Sequence, residues 1–356
     1  MTNLELIYEN KIIFPQFLER KISIKHNKTL LYGVKSSGKT YLIYDYLSKN
    51  PDKNYIYIDM EDYKIDKNSL KFLEDFIYQH NIDILVIENY TKDIILPKVD
   101  SILLSTQDYI NIEDFTILYI PPLDFEEFIL FDTKHQNITN SFNSFLKYGN
   151  LAQIIDYKDY KKQLRNKEIL ELYEPNPTSR EILKLLIKSS NELKSPFWLY
   201  SILKKQIKIS KDFIYKQIKI YQNNKAIFLC EKYNQPKATK KIFCFNHALI
   251  DIVHFNKKFI NIFTNMVFLE LHNRYKEIFY LDNIDFYIPQ TKTIILCTPF
   301  FNKLIFSNLS AKILKSIYNI DIEQIIFITI NNNDENIFID NINCEIIPFY
   351  EWALST

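Results

Sequence analysis

"LLYGVKSSGKTYLI", residues 30–43, holds two of the three glycines in a chain of 356 residues. Gly33 and Gly38 stand five positions apart, and Lys39 and Thr40 follow at once. The spacing G-x-x-x-x-G-K-[ST] lets a loop wrap an anion with its backbone N–H groups, because glycine permits positive φ and close approach. Residues 29–32 are predicted as a short buried strand and residues 40–49 as an amphipathic helix, which is the setting the motif needs. The start of that helix adds partial positive charge at the anion. In this reading Gly33, Val34, Lys35, Ser36, Ser37, Gly38, Lys39, Thr40 and Tyr41 cradle the phosphates of ATP. Lys39 reaches the β/γ-phosphates and the Thr40 hydroxyl serves Mg2+. A plain glycine turn between strand and helix is the alternative, and the scarcity of glycine elsewhere weighs against it.

The rest of the composition sets bounds. Hydrophobic residues make up 47% and charged residues 24%, which describes a globular chain with room for two or three domains. The net charge is +1, so the molecule as a whole is not a polycation. Cys230, Cys244, Cys297 and Cys344 show no C-x-x-C pairing and read as small core residues of a reducing compartment. "MTNLELIYENKIIF" lacks a signal-peptide pattern, and no apolar run approaches a membrane span. The expectation is a cytoplasmic protein with no membrane partner.

Downstream of the loop, apolar runs alternate with helical stretches. "NYIYIDMEDY" (54–63), "IDILVIENY" (82–90), "SILLSTQD" (101–108) and the start of "FTILYIPPLDFEEF" (115–128) read as strands, with a helix at about 68–80. This is an α/β pattern with a mostly parallel sheet, its ligand at the strand ends. A phosphate site of this kind needs a strand-end carboxylate for Mg2+. Asp59, with Glu61 and Asp62 behind it, competes with Glu88, followed by Asn89. Glu88 is preferred, because the first strand after a phosphate-loop helix in this class usually lies at the sheet edge. Asn89 cannot act as a base but can orient a water. Ser105, Thr106 or Gln107 could sense a terminal phosphate if their strand neighbours the loop strand; a polar strand end is the equal alternative.

The order of "GVKSSGKT", "LVIEN", "LLSTQ", "PPLDFEEF" and "FLKYGN" resembles a family of prokaryotic AAA-type P-loop ATPases. These carry a C-terminal domain of unknown function, comprising a winged helix and a restriction-endonuclease-like core. Pro122, Leu123, Asp124, Phe125, Glu127 and Phe128 reproduce the run that follows the last ATPase strand, and Phe145, Leu146, Tyr148 and Gly149 match the lid segment. The resemblance implies an ATPase domain over residues 1–150 with a lid to about 175, a winged helix at 176–250 and an endonuclease-like domain at 251–356. Two departures stand out. Glu88-Asn89 replaces the family's Asp-Glu, and none of the four arginines (Arg20, Arg165, Arg180, Arg274) falls between Lys39 and Phe128. ATP binding with slow or degenerate hydrolysis is the resulting expectation, with Lys39, Glu88 and Asn89 as catalytic candidates and Thr40 and Glu88 as metal ligands.

Residues 176–250 are basic. Between Lys184 and Lys241 fourteen lysines face only Glu192, Asp212 and Glu231, a surplus of eleven. A capping box from Thr178 to Glu181 is predicted to open one helix, with others at 195–205 and 210–223. "AIFLCE" and "KIFCF" then form a hairpin. Lys211, Tyr215 and Lys219 share one helix face, and Lys237, Lys240 and Lys241 would decorate the wing. Duplex DNA, contacted through its phosphates, fits that charge. The alternative is a solvated lysine-rich face, or a wing that contacts a client protein.

In the last hundred residues a helix, three strands and two later strands, "QIIFITI" and "CEIIPF", are expected. By resemblance Asn265 and Glu270 match a helix motif and Asp285 a strand aspartate, whereas the Glu-x-Lys positions fall on Leu296 and Thr298. The domain therefore reads as a nuclease-like scaffold without cutting chemistry. Three functions remain open: a nucleotide-dependent switch, a nucleic-acid-binding module with structural ATP, and a metal-dependent nuclease, which Leu296 and Thr298 disfavour.

Overall fold

The computed structural model describes residues 3–65, 68–135, 137–254 and 258–355, with the backbone alone at 334–336. The chain divides into two compact units, Met1–Pro121 and Pro122–Thr356.

The first unit contains α1 (Asn3–Glu9), β1 (Lys28–Tyr32), α2 (Lys39–Ser48), β2 (Tyr55–Asp59), α3 (Leu73–His80), β3 (Ile84–Glu88), β4 (Ser101–Thr106) and β5 (Thr116–Tyr119). The five strands form one sheet in the order β2-β3-β4-β1-β5. Every pairing is parallel. β3 and β4 are buried along their whole length, as continuous apolar strands covered on both faces must be. Alternation then sorts the side chains. Leu30, Leu85, Ile87, Ile102 and Leu104 pack with Leu4 of α1 and Phe76 and Ile77 of α3. Leu31, Ile84, Val86 and Leu103 pack with Leu42, Ile43 and Leu47 of α2. Fully burying one such side chain stabilises by about 1.5–3 kcal/mol. β2 alternates between buried and half-buried positions at the sheet edge, so Asp59 does end the edge strand.

The second unit begins with α4 (Phe125–Phe131), α5 (Ile138–Tyr148), α6 (Ala152–Ile155) and α7 (Asp159–Tyr173). The "PPLDFEEF" run is a helix start. Asp124 accepts a hydrogen bond from the Glu127 N–H at 2.8 Å, and the Glu127 carboxylate accepts from the Asp124 N–H. Next come α8 (Pro177–Lys188), α9 (Pro196–Leu203) and α10 (Lys211–Asn223). α8 starts earlier than its predicted capping box: Asn176 is the cap, accepting from the Ser179 N–H at 3.0 Å. Pro177, which lacks an N–H and has a preset φ, supplies the first turn. Ser195 and Ser210 cap α9 and α10.

The hairpin follows as β6 (Ile227–Lys232) and β7 (Lys241–Cys244), then α11 (Ala248–Val253), α12 (Phe259–Arg274), β8 (Phe279–Leu281), β9 (Ile284–Ile288) and β10 (Thr293–Cys297). α13 (Lys303–Ile317), β11 (Gln324–Thr329), β12 (Asp334–Ile339), β13 (Ile342–Pro348) and α14 (Phe349–Leu354) complete the chain. Strands from both sides of position 250 share one mixed sheet, ordered β12-β13-β11-β10-β9-β8-β6-β7. The join is the parallel pairing of Glu231 and Lys232 with Phe279 and Tyr280. All four cysteines are buried and free. Among the described residues no helix is long and apolar enough to cross a membrane.

The join between hairpin and helix rests on a fully buried amide. Asn265 of α12 accepts from the Cys244 N–H and donates to the Cys244 carbonyl, each at 2.8 Å. Asn265→Ala strands both groups and is expected to cost about 2–4 kcal/mol. Both tryptophans, Trp198 and Trp352, lie in this unit, so urea unfolding followed by tryptophan fluorescence reads the loss directly. A change under about 1 kcal/mol would mean that water satisfies the strand end without Asn265.

Candidate phosphate-binding site

The loop from Gly33 to Gly38 leaves β1 between its two neighbours, β4 and β5, at the C-terminal edge of the sheet. Its path requires glycine at both ends. A Cβ on Gly33 would lie 2.4 Å from the Ile120 carbonyl oxygen, and Gly38 adopts φ 98° as the N-cap of α2. Ser36 is also left-handed, at φ 66°. Left-handed residues alternating along a short turn bend the chain into a concave nest that binds anions. The first intrahelical bond runs from the Leu42 N–H to the Gly38 carbonyl. The amides of Lys39, Thr40 and Tyr41 therefore precede the helical ladder. Val34 is buried beneath the loop, Lys35 pairs with Glu61 at 3.2 Å, and the exposed Tyr41 ring lies against Tyr44.

Lys39 points into this turn. Its ammonium donates to the Gly33 carbonyl at 2.8 Å and to the Val34 carbonyl at 3.0 Å. The residue is half-buried, but the charged end is enclosed by the loop. Burial pushes its pKa down to about 8, against the opposing pull of Glu88. The Ser37 side-chain oxygen is buried and has no hydrogen-bond partner. A buried hydroxyl without a partner costs stability, and in a concave amide turn it is a donor ready for a phosphate oxygen.

Glu88, at the end of β3, reaches this helix start; Asp59 does not. The Thr40 hydroxyl donates to the two Glu88 oxygens at 2.9 and 3.1 Å. Tyr57 donates to Glu88 at 2.5 Å and Ser105 at 3.2 Å. Burial raises the Glu88 pKa and the negative Asp59 adds to it, while the hydrogen bonds from Tyr57, Thr40 and Ser105 hold it down. In its ionised form this carboxylate, beside a threonine hydroxyl, offers the oxygen donors that a hard divalent cation takes. Asp59 instead accepts from the Asn89 amide at 2.8 Å and from the Glu61 N–H at 3.0 Å. Asn89 is left-handed at φ 54°, and its amide is tied to Asp59. Thr106 accepts from the Asp108 N–H in a turn, so among the strand-end hydroxyls it is Ser105 that meets Glu88.

Two residues at this site were invisible to motif reading. Tyr57 lies in the interior of a strand read only for its terminal acid. Arg20 precedes Ser37 by 17 positions, yet it donates to the Ser37 carbonyl at 2.8 Å and to the Pro121 carbonyl at 3.1 Å. A lone arginine in an irregular segment carries no spacing signal.

In the second unit the nuclease-motif candidates hold structure. Glu270 is buried, accepts from the Phe125 N–H at 2.7 Å and lies 3.8 Å from Arg274. Asp285 accepts from the Cys297 N–H and pairs with Lys241 at 3.3 Å. Among the described residues no group of three or more His, Cys, Asp or Glu could hold a metal. Lys241 thus pairs with Asp285 and Lys240 with Glu231, while Lys237 at the hairpin turn stays exposed. A second exposed set comprises Lys204, Lys205 and Lys208 in the connection after α9 and Lys211, Lys216 and Lys219 on α10, with Lys211 over the open rings of Phe197 and Tyr215.

No family model matches the chain. Over its whole length it is 24% identical to the uncharacterized protein MJ1544 of Methanocaldococcus jannaschii, covering 94% of that protein. Among solved structures, the Walker-type ATPase PABY2304 of Pyrococcus abyssi superposes with a TM-score of 0.42 and 13% identity, over 70% of this chain and 93% of that one. The Orc1 protein of Aeropyrum pernix, solved in complex with DNA, superposes at 0.29 and 10%, over 65% of this chain and 86% of its own. Neither superposition is close enough to bear on function, which is left to the geometry of the loop.

The hydroxyl cage around Glu88 can be tested alone. Tyr57→Phe removes a hydrogen bond that favours the charged carboxylate, so Glu88 should titrate at higher pH than in the unmodified protein. Carbon-13 NMR of the Glu88 carboxyl reads this; an unchanged titration would show that Thr40 and Ser105 suffice.

Proposed function

We propose that the chain is an ATP-binding P-loop protein of the AAA type, a slow or degenerate ATPase that acts as a nucleotide-dependent switch. The observation that carries this reading is the joint placement of Lys39 inside the loop and of Thr40 against Glu88. The orphaned Ser37 hydroxyl and the amides that open α2 support a phosphate tail as the ligand. Lys39 would exchange its two carbonyl partners for phosphate oxygens, a stronger charge-assisted pair. Thr40 and Glu88 would hold Mg2+, which supplies charge neutralisation at the β/γ-phosphates. Asn89 in place of an acid, with its amide already tied to Asp59, supports slow hydrolysis.

On the same reading, residues 1–150 with a lid to about 175 form the ATPase domain, 176–250 the winged helix and 251–356 a nuclease-like domain that does not cut. A second reading has its own observation. The exposed lysines of the α9–α10 connection and of α10, with the rings of Phe197 and Tyr215, favour nucleic-acid phosphates and bases, with duplex DNA as the partner first expected. Its affinity should fall steeply with salt and ignore ATP if nucleotide is only structural; a salt-independent result would end it.

The first reading is tested by calorimetry. Lys39→Ala should weaken ATP binding about 10- to 100-fold, the range of one or two charge-assisted bonds; equal affinity would end the proposal. The pH dependence has a definite sign. The buried ammonium loses its proton as pH rises through about 8, so affinity should decline between pH 7 and 9. Lys39→Arg, whose charge persists, should bind with little change over that window.

A further inference from the structure

Arg20 is the only arginine between Met1 and Pro121. It lies on the irregular stretch ahead of β1, where Ile12 and Phe14 on one side and Ile22 and Ile24 on the other pack against the core beneath α2. That anchoring brings the guanidinium to the phosphate loop. One nitrogen donates to the Ser37 carbonyl at 2.8 Å, and the other to the Pro121 carbonyl at 3.1 Å.

A turn that directs its amides at an anion leaves carbonyls facing away, and each needs a donor. Ser37, between left-handed Ser36 and Gly38, presents such a carbonyl. A guanidinium is a rigid fork, so two of its N–H groups fix the separation of the two oxygens they bind; an ammonium cannot. The second oxygen belongs to Pro121, the last residue of the first unit. The opposite end of the loop touches the same place, for Gly33 packs against the Ile120 carbonyl so closely that a Cβ would come within 2.4 Å. Both ends of the loop therefore bear on the exit of β5, one directly and one through Arg20.

We propose that Arg20 is a positioning residue that braces the phosphate loop and ties its conformation to the β5 exit, through which the chain continues into the second unit. This rests on the ATP reading for the ligand but not for the brace. Deformation of the loop by a bound phosphate tail moves the Ser37 carbonyl, and the fork passes that movement to Pro121. Binding and transmission thus share one side chain.

Amide hydrogen exchange on the full chain, with and without ATP, tests it, using Arg20→Ala, Arg20→Lys and Lys39→Ala. Without nucleotide, Arg20→Ala should exchange at least about tenfold faster at Ser36–Lys39 and at Ile120, while Ile84–Glu88 of the interior strand β3 keeps its protection. With ATP, the unmodified protein should slow exchange at both Lys39–Tyr41 and Ile120. Arg20→Lys should still slow Lys39–Tyr41 but lose the response at Ile120, because an ammonium with freely rotating donors does not fix the separation of the Ser37 and Pro121 carbonyls as the rigid guanidinium fork does. Equal exchange in Arg20→Ala and the unmodified protein without nucleotide would overturn the brace, as would faster exchange throughout the sheet. An ATP response at Ile120 that survives in both Arg20 variants would overturn the coupling. If the unmodified protein shows no ATP response and Lys39→Ala behaves identically, the ATP reading fails, while the nucleotide-free comparison still judges the brace.

Discussion

The short chain between β1 and α2 must place its amides on one side and find donors for its carbonyls on the other. Lys39 serves the Gly33 and Val34 carbonyls from within the turn, and Arg20 serves Ser37 from outside. The turn exists only because Gly38 and Ser36 accept left-handed backbone and because Gly33 has no side chain to meet Ile120. From this follows the position of Thr40 at the first turn of α2, and with it the contact to Glu88 at the end of a central strand.

The carboxylate at the centre shows how a low-dielectric site sets chemistry. Glu88 is buried between β2 and β4, so solvent does not stabilise its charge; three hydroxyls do, from Thr40, Tyr57 and Ser105. Each comes from a different element of the sheet layer, so the cage is built only when β2, β3, β4 and α2 are assembled. Asp59, one strand nearer the edge, is instead committed to Asn89 and to its own turn. Both acids end strands; the edge position of β2, on which the preference for Glu88 rested, gives them separate duties.

The second unit follows a different logic. Polar residues that matched a catalytic pattern serve as internal caps: Glu270 for the start of α4, Asp285 for the Cys297 amide, and Asn265 for the end of β7. Buried backbone groups at element ends demand partners, and a carboxylate or amide that meets the demand is no longer available to a metal or a water. Lys240 and Lys241 are likewise paired with acids, which leaves Lys237 at the hairpin turn and the lysines of the α9–α10 connection and of α10 exposed.

Local physics was legible in the residues themselves. Glycine spacing before Lys39 and Thr40, continuous apolar runs in β3 and β4, and serine caps on α9 and α10 act over a few positions and leave periodic or paired signals. Contacts between distant positions leave none. Arg20 meets Pro121 across 101 residues and Tyr57 meets Glu88 across 31, and no spacing rule links either pair. The α8 start at Asn176 was missed by two residues because proline at the first turn competes with a downstream capping box, and backbone geometry decides between them. Likewise the hairpin's membership of an eight-stranded sheet depends on strand register set by residues fifty positions later, which only the assembled fold selects.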